Sequence, residues 1–525
     1  MSFALDGAAT MSVEQLACLA QPGQTITIPP ETIERVRFAR SKLEVFVQQD
    51  RVIYGVNTGM GGFVDMLVPI EKASALQNNL INAVATNVGE YLNDQTTRAI
   101  LLARIKSLAR GNSGLSVENF EKLVAIFNKG VIPCVPEKGS LGTSGDLGPL
   151  AAVALVCIGQ WKARFNGEVM PAAKALKLAG IEPMQLSYKE GLALINGTSG
   201  MVGFGATVLM QSMQLLDEYI GISALSLEAL AAKTKPFDPR VHLLKPHRGQ
   251  QQIAEALWAR LYDSDLAVDE KDVERILAQQ MSSETQRGEQ PIEDAYSLRC
   301  TPQVLGPVLD SMETIKATIE NELNSSNDNP LLIPEEDEVF HNGHFHGQYM
   351  AMAMDHLVID LITICNLSDR RIDRFLTKAN SNGLPAFLCR EDPGLRLGLM
   401  GGQFMSTSLT AENRALSTPL SIQSLPSTGD FQDIVSLGFV GARRAREVLT
   451  NTKYVVAFEL VCACQAVDIR GIDGLSCSGR ALYERTRRII PYLSYDITLS
   501  DYFEKIVSEL LGQKSVNELR LTASR

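Results

Sequence analysis

From Gln348 to Leu376 the sequence contains no glycine or proline and is apolar on nearly all sides. A helix facing water needs only one apolar stripe, so a segment apolar all round belongs at the centre of a bundle. The charges and turns in this and the other apolar stretches fall well inside the length a bilayer requires, so no membrane span is expected. Leu305, Val308, Met312, Ile315, Ile319 and Leu323 also recur at helical spacing, running into the polar segment ENELNSSNDNP. Phe431 to Arg470 reads as a third long helical run, broken early by Gly438 and Gly441. Nearer the start, Ser12-x-x-Gln15 is a capping-box pattern. Pro30-Glu31 opens a helix with Ile33, Val36, Leu43 and Val47 on one face. Alternating β-type runs are scarce and no internal repeat is evident. The expectation is a mainly α fold of several long helices, with residues 1–205 as an N-terminal region and 206–525 as a central bundle with C-terminal helices.

Charge narrows the partners. With 60 acidic against 49 basic side chains the chain carries −11, and phosphate or anionic membrane surfaces would repel it. Met1 to Ile28 holds no Lys or Arg and no unbroken apolar core, which predicts a cytoplasmic protein rather than a secreted one. Nine scattered cysteines suit reduced thiols better than a disulfide framework, and Cys462-x-Cys464 reads as core packing.

Two glycine-rich stretches interrupt the helices: YGVNTGMGGF from Tyr54 to Phe63 and GSLGTSGDLGP from Gly139 to Pro149. In Thr143-Ser144-Gly145, the Gly145 nitrogen, unhindered by a Cβ, could attack the Thr143 carbonyl; loss of water closes a five-membered ring. Dehydration of Ser144 then leaves the electrophile 4-methylidene-imidazol-5-one (MIO), a function no unmodified side chain supplies. The same triplet recurs as Thr198-Ser199-Gly200, but only the first copy has the flanking Gly139, Gly142, Gly148, Asp146 and Pro149 to force a tight turn. Taken alone, that stretch could equally be a surface loop or an anion-binding nest.

GSLGTSGDLGPLA resembles the MIO signature of the histidine and phenylalanine ammonia-lyase family, with Thr143 where most members carry Ala. The likeness spans nearly the whole chain, through LINGTSG, YSLRCTPQ, NSSNDNP, HNGHFHGQ, FQDIVSLG and CQAVDIR. The threonine triad and the FQD triplet are most similar to bacterial phenylalanine ammonia-lyases and phenylalanine 2,3-aminomutases. The resemblance implies a long-helix bundle of the fumarase and aspartase type with an N-terminal MIO-bearing region, and a homotetramer with shared active sites. It implies Tyr54 as the base on a lid, Arg299 on the substrate carboxylate, Tyr296 beside the ring, and Asn196 on the ring carbonyl or substrate. Gln432 and Glu447 are implied at the amine end, and Asn329 and Phe345 as site lining. Glu293 stands where plant phenylalanine lyases have Gln. Without the resemblance, Tyr54, Gln432 and Glu447 would be surface residues, Asn196-Gly197 a structural turn, and Tyr296 with Arg299 a half-buried tyrosine and a solvated arginine. His341, His344 and His346 invite a metal reading, but Gly343 and Gly347 suggest a turn, and no metal is expected.

Substrate identity turns on LQNNLINAV. Tyrosine lyases of the family carry His at the place of Ala83, and histidine lyases use polar groups at this pair. Ala83 and Val84 offer only apolar contact, so a phenol would lose its hydrogen-bond partner. The expectation is L-phenylalanine converted to trans-cinnamate and ammonia, with a 2,3-aminomutase giving β-phenylalanine as the alternative from the same site. Histidine or tyrosine lyase activity is the weaker rival, and a helical scaffold without the ring the non-enzymatic one.

Overall fold

The structure, a computed structural model, describes residues 2–512; the last residues of the expected 206–525 region lie outside them. The chain is mainly helical, and its centre is built from four long helices: Ser199–Ala229, Thr301–Leu323, Gln348–Leu376 and Gly438–Arg470. All six periodic positions of the second, Leu305 to Leu323, are buried. The Gln348–Leu376 helix is long and apolar enough to cross a membrane by length and composition, yet most of it is buried inside the protein. Its burial is not complete: Tyr349, Met352, His356 and Ile359 form an exposed stripe at three- and four-residue spacing. Between it and the Gly438–Arg470 helix lies a buried polar stitch, in which Arg444 pairs with Asp355, and Arg371 reaches Glu459 at 3.2 Å with both side chains fully buried.

Two expectations about boundaries change. Phe431 to Leu437 is irregular chain, and Gly438 begins the helix rather than breaking it. Gly441 is buried within that helix, where an added Cβ would come 3.1 Å from the Met354 Cβ, so it serves close packing. Residue 205 falls inside the Ser199–Ala229 helix, and one continuous apolar core extends from Leu5 to Leu511, so the two expected regions share both a helix and a core. Near the N-terminus the capping box at Ser12 and Gln15 is formed in both directions. The Pro30–Gln48 helix buries Thr32, Val36, Ala39, Leu43 and Phe46, with Ile33 and Val47 only half-buried beside that face.

Strands are short. The pair that matters for the site is a hairpin, Leu331–Ile333 with Glu338–Phe340, whose register sets Leu331 opposite Phe340. Buried anchors hold the chain just before it: Lys189 pairs with Asp328 at 2.6 Å, and Arg104 donates to the Asn327 side chain at 3.2 Å. The polar run NSSNDNP is therefore internal wiring, satisfied by partners from the first two hundred residues.

Candidate active site

Backbone shape singles out the first triplet. Ser144 and Gly145 take successive left-handed conformations, φ 57° and 71°, a turn that costs L-residues energy and that glycine tolerates. Gly145 also pairs with Gly197 in an isolated bridge so close that a Cβ on Gly145 would sit 1.9 Å from the Gly197 oxygen. The loop is cradled by the stretch before the last long helix: Ser436 donates to the Gly142 carbonyl at 2.7 Å, Leu437 N to Leu141 O at 2.8 Å, and Thr143 Oγ1 to Ile434 O at 3.2 Å. The loop ends sooner than expected, since Gly148 and Pro149 already belong to the Leu147–Cys157 helix.

The second triplet is built differently. Ser199 and Gly200 start the Ser199–Ala229 helix, the Met201 amide donates to the buried Asp146 carboxylate at 2.6 Å, and a Cβ on Gly200 would come 2.7 Å from the Asp146 Cβ. Gly200 thus sits in a helix start packed against Asp146, not in the left-handed turn that Gly145 takes. Burial pushes the Asp146 carboxyl up to about 7, against the pull of the Met201 amide and of Ser140.

Ser144 opens onto a cavity of about 950 Å³. Gln432 Nε2 donates to Ser144 Oγ at 2.9 Å, and Asn196 Nδ2 to the Ser144 carbonyl at 2.9 Å. Asn196 in turn accepts from Asn329 N at 2.7 Å, and Asn329 accepts from Asn342 N at 2.8 Å. Tyr54 stands in the same cavity, half-buried, its phenol accepting from Gly61 N at 3.0 Å. Burial holds that phenol above its ordinary range, with the Gly61 amide acting the other way. Ala83, Val84 and Phe345 line the apolar part together with Leu80, Leu147 and Leu192.

Eight of the expected side chains or triad members thus converge: Tyr54, Ser144, Asn196, Ala83, Val84, Asn329, Phe345 and Gln432. Thr143 and Gly145 complete the triad beside them. Four residues do not join them within one chain. Tyr296 and Arg299 share a single-turn helix, with the guanidinium 5.0 Å from the ring centre, but Tyr296 is 72% exposed and Arg299 opens on a separate depression. Glu293 pairs with Arg299 at 2.8 Å there. Glu447 is exposed on the last long helix and does not line this cavity. Among the described residues, His341 is the only titratable side chain other than Tyr54 lining the cavity. Thr428, Phe431, His341 and Asn342 also line it and were not expected there; Phe431 opens FQDIVSLG, His341 and Asn342 open HNGHFHGQ, and Thr428 lies three residues before Phe431.

A ring made from Thr143, Ser144 and Gly145 fits this setting: the turn is left-handed, the contact at Gly145 admits no side chain, and Asn196 already addresses the carbonyl that the ring would keep. A family model, "Aromatic amino acid lyase", matches residues 11–488. The chain belongs to that family. It is similar to a Streptomyces globisporus protein described as an MIO-dependent tyrosine 2,3-aminomutase, 41% identical over 95% of this chain and 93% of that one. A histidine ammonia-lyase of Bacillus subtilis is 40% identical over 93% and 94%. The solved structure of Pantoea agglomerans phenylalanine aminomutase superposes with a TM-score of 0.96 and is 60% identical, covering 98% of this chain and 100% of that one. This aromatic amino acid lyase is an enzyme of the ammonia-lyase and aminomutase group, and its family depends on MIO formed autocatalytically.

Proposed function

We propose that the enzyme acts on L-phenylalanine and eliminates ammonia to give trans-cinnamate. The observation that carries this is the apolar wall of Ala83, Val84, Leu80, Leu147 and Leu192, which accepts a phenyl ring and has no partner for a phenol or imidazole. When formed, the MIO ring supplies the electrophile that engages the substrate amine. Tyr54 takes the β-hydrogen as phenolate, Asn196 and Gln432 orient groups at the triad, and the glycine-rich loop at Tyr54 to Phe63 closes over the substrate and excludes water.

The substrate carboxylate needs a cation, and Arg299 is assigned to it from a neighbouring subunit, with Tyr296 and Glu293 beside it. The cavity of one chain holds no Lys or Arg among the described residues, while Tyr296 and the stripe Tyr349, Met352 and Ile359 are exposed. A homotetramer with shared sites accounts for both, and Glu447 is placed at such a shared site too. A cytoplasmic setting suits the nine free thiols.

The second reading, a phenylalanine 2,3-aminomutase, is favoured by the 60% identity to the Pantoea enzyme. Return of ammonia to the β-carbon before cinnamate escapes would give β-phenylalanine from the same residues. Incubation with L-phenylalanine, following cinnamate and chiral β-phenylalanine together, tests both; turnover of L-histidine with no cinnamate would sink both.

A further inference from the structure

We propose that His341 is a positioning residue for the base, holding the Tyr54 loop against the hairpin that Asn329 and Phe345 flank in sequence; this rests on Tyr54 being the base. The backbone N–H of Tyr54 donates to His341 Nε2 at 3.1 Å. An accepting nitrogen carries no proton, so the bond requires neutral His341 with its hydrogen on Nδ1. His341 follows Phe340 directly, so the last ladder residue of the hairpin fixes where its ring stands. The same hairpin takes hold of the chain three residues before Tyr54, where Arg51 donates to the Asp337 carbonyl at 3.0 Å and pairs with Glu338 at 3.6 Å. On the far side of Tyr54, the fully buried Gln77 donates to Gly55 O at 2.8 Å and accepts from Leu192 N at 2.9 Å. Tyr54 is thus gripped at its own amide and at the next carbonyl, while its phenol accepts from Gly61 within the glycine-rich stretch.

The position argues for a chemical rather than a packing use. His341 is exposed and lines the cavity, so it adds nothing to the core. Its neighbour Asn342 donates to Asn329, and through Asn196 that chain of bonds ends on the Ser144 carbonyl. One hairpin therefore ties the triad to the base, and His341 is the link on the base side. A loop that closes over substrate must also open, and a neutral hydrogen bond from His341 adds to the grip of Arg51 and Gln77 while staying weak enough to be remade each turnover.

The test compares His341→Leu with His341→Gln, whose side-chain oxygen reaches the place of Nε2. In the Leu variant, hydrogen exchange at the Tyr54 amide rises by about tenfold and kcat for L-phenylalanine falls by about tenfold, with KM changed far less. The Gln variant keeps most of the protection and turnover, and both variants still lose two waters by intact mass. If the Leu variant does not fold, His341→Asn, whose oxygen falls short of Tyr54, replaces it with the same expectation. Wild-type exchange and kcat in the Leu or Asn variant would overturn the proposal, as would a Gln variant as impaired as Leu. Amide exchange needs no substrate, whereas wild-type turnover of L-phenylalanine reads the proposed function, so the two fail separately.

Discussion

Gly145 of the first Thr-Ser-Gly triplet is paired in a parallel bridge with Gly197, the residue that immediately precedes the second triplet. The two copies are therefore partners in one junction, the first strained and facing the cavity, the second opening a helix whose Met201 amide donates to Asp146. Ser144→Ala should abolish the loss of two waters seen by intact mass, and Ser199→Ala should leave it in place. Loss of the mass shift in Ser199→Ala alone would reverse the assignment.

Tyr54 is raised above the ordinary phenol range by burial. Its phenolate fraction is then small near neutrality and grows about tenfold per pH unit until the shifted value is reached. The expected profile of kcat/KM rises toward alkaline pH. Tyr54→Phe should keep the ring, lower kcat on the order of 10² to 10⁴ and flatten the rise. A Phe variant with the wild-type slope would remove Tyr54 as the titrating base.

Ala83 lines the apolar part of the cavity. Ala83→His supplies a partner for a buried phenol, so kcat/KM for L-tyrosine relative to L-phenylalanine should rise roughly 10- to 100-fold. An unchanged ratio, measured by competing the two substrates, would place the substrate ring elsewhere.

Arg299 and Tyr54 do not meet within one chain. If sites are shared, Arg299→Ala and Tyr54→Phe enzymes, each nearly inactive, should recover up to about a quarter of wild-type activity when unfolded together and reassembled. Sedimentation reads the assembly itself. No recovery from a properly reassembled mixture would mean that each chain completes its own site.

Arg371 holds the helix that bears Tyr296 and Arg299 at both flanks, donating to Ser297 O at 2.9 Å and to Thr301 Oγ1 at 2.6 Å. Its removal also strands the Glu459 carboxylate in the core. Arg371→Met should cost about 3–5 kcal/mol of stability, read by chemical denaturation. A cost below about 1 kcal/mol would show that the pair is dispensable.

The mainly α fold, three of the long helices and the residues of the triad were legible in the sequence, because helical periodicity and the chemistry of a Ser-Gly pair are local properties. Locality is also why Phe431 to Leu437 was misread as helix: that stretch forgoes its helical turns to cradle Gly142 and Thr143, partners almost three hundred residues away. Which Thr-Ser-Gly copy bears left-handed strain could be guessed from flanking glycines, but the reason the other copy is quiet, a helix start packed against Asp146, exists only once the two segments are packed together. The sequence alone determined what chemistry the chain can make. Tertiary structure decided where it happens, by bringing Tyr54, Asn196, Asn329 and Gln432 from four distant segments to one serine and leaving Arg299 on another face. Those placements depend on contacts between residues far apart in the chain, and no local pattern encodes them.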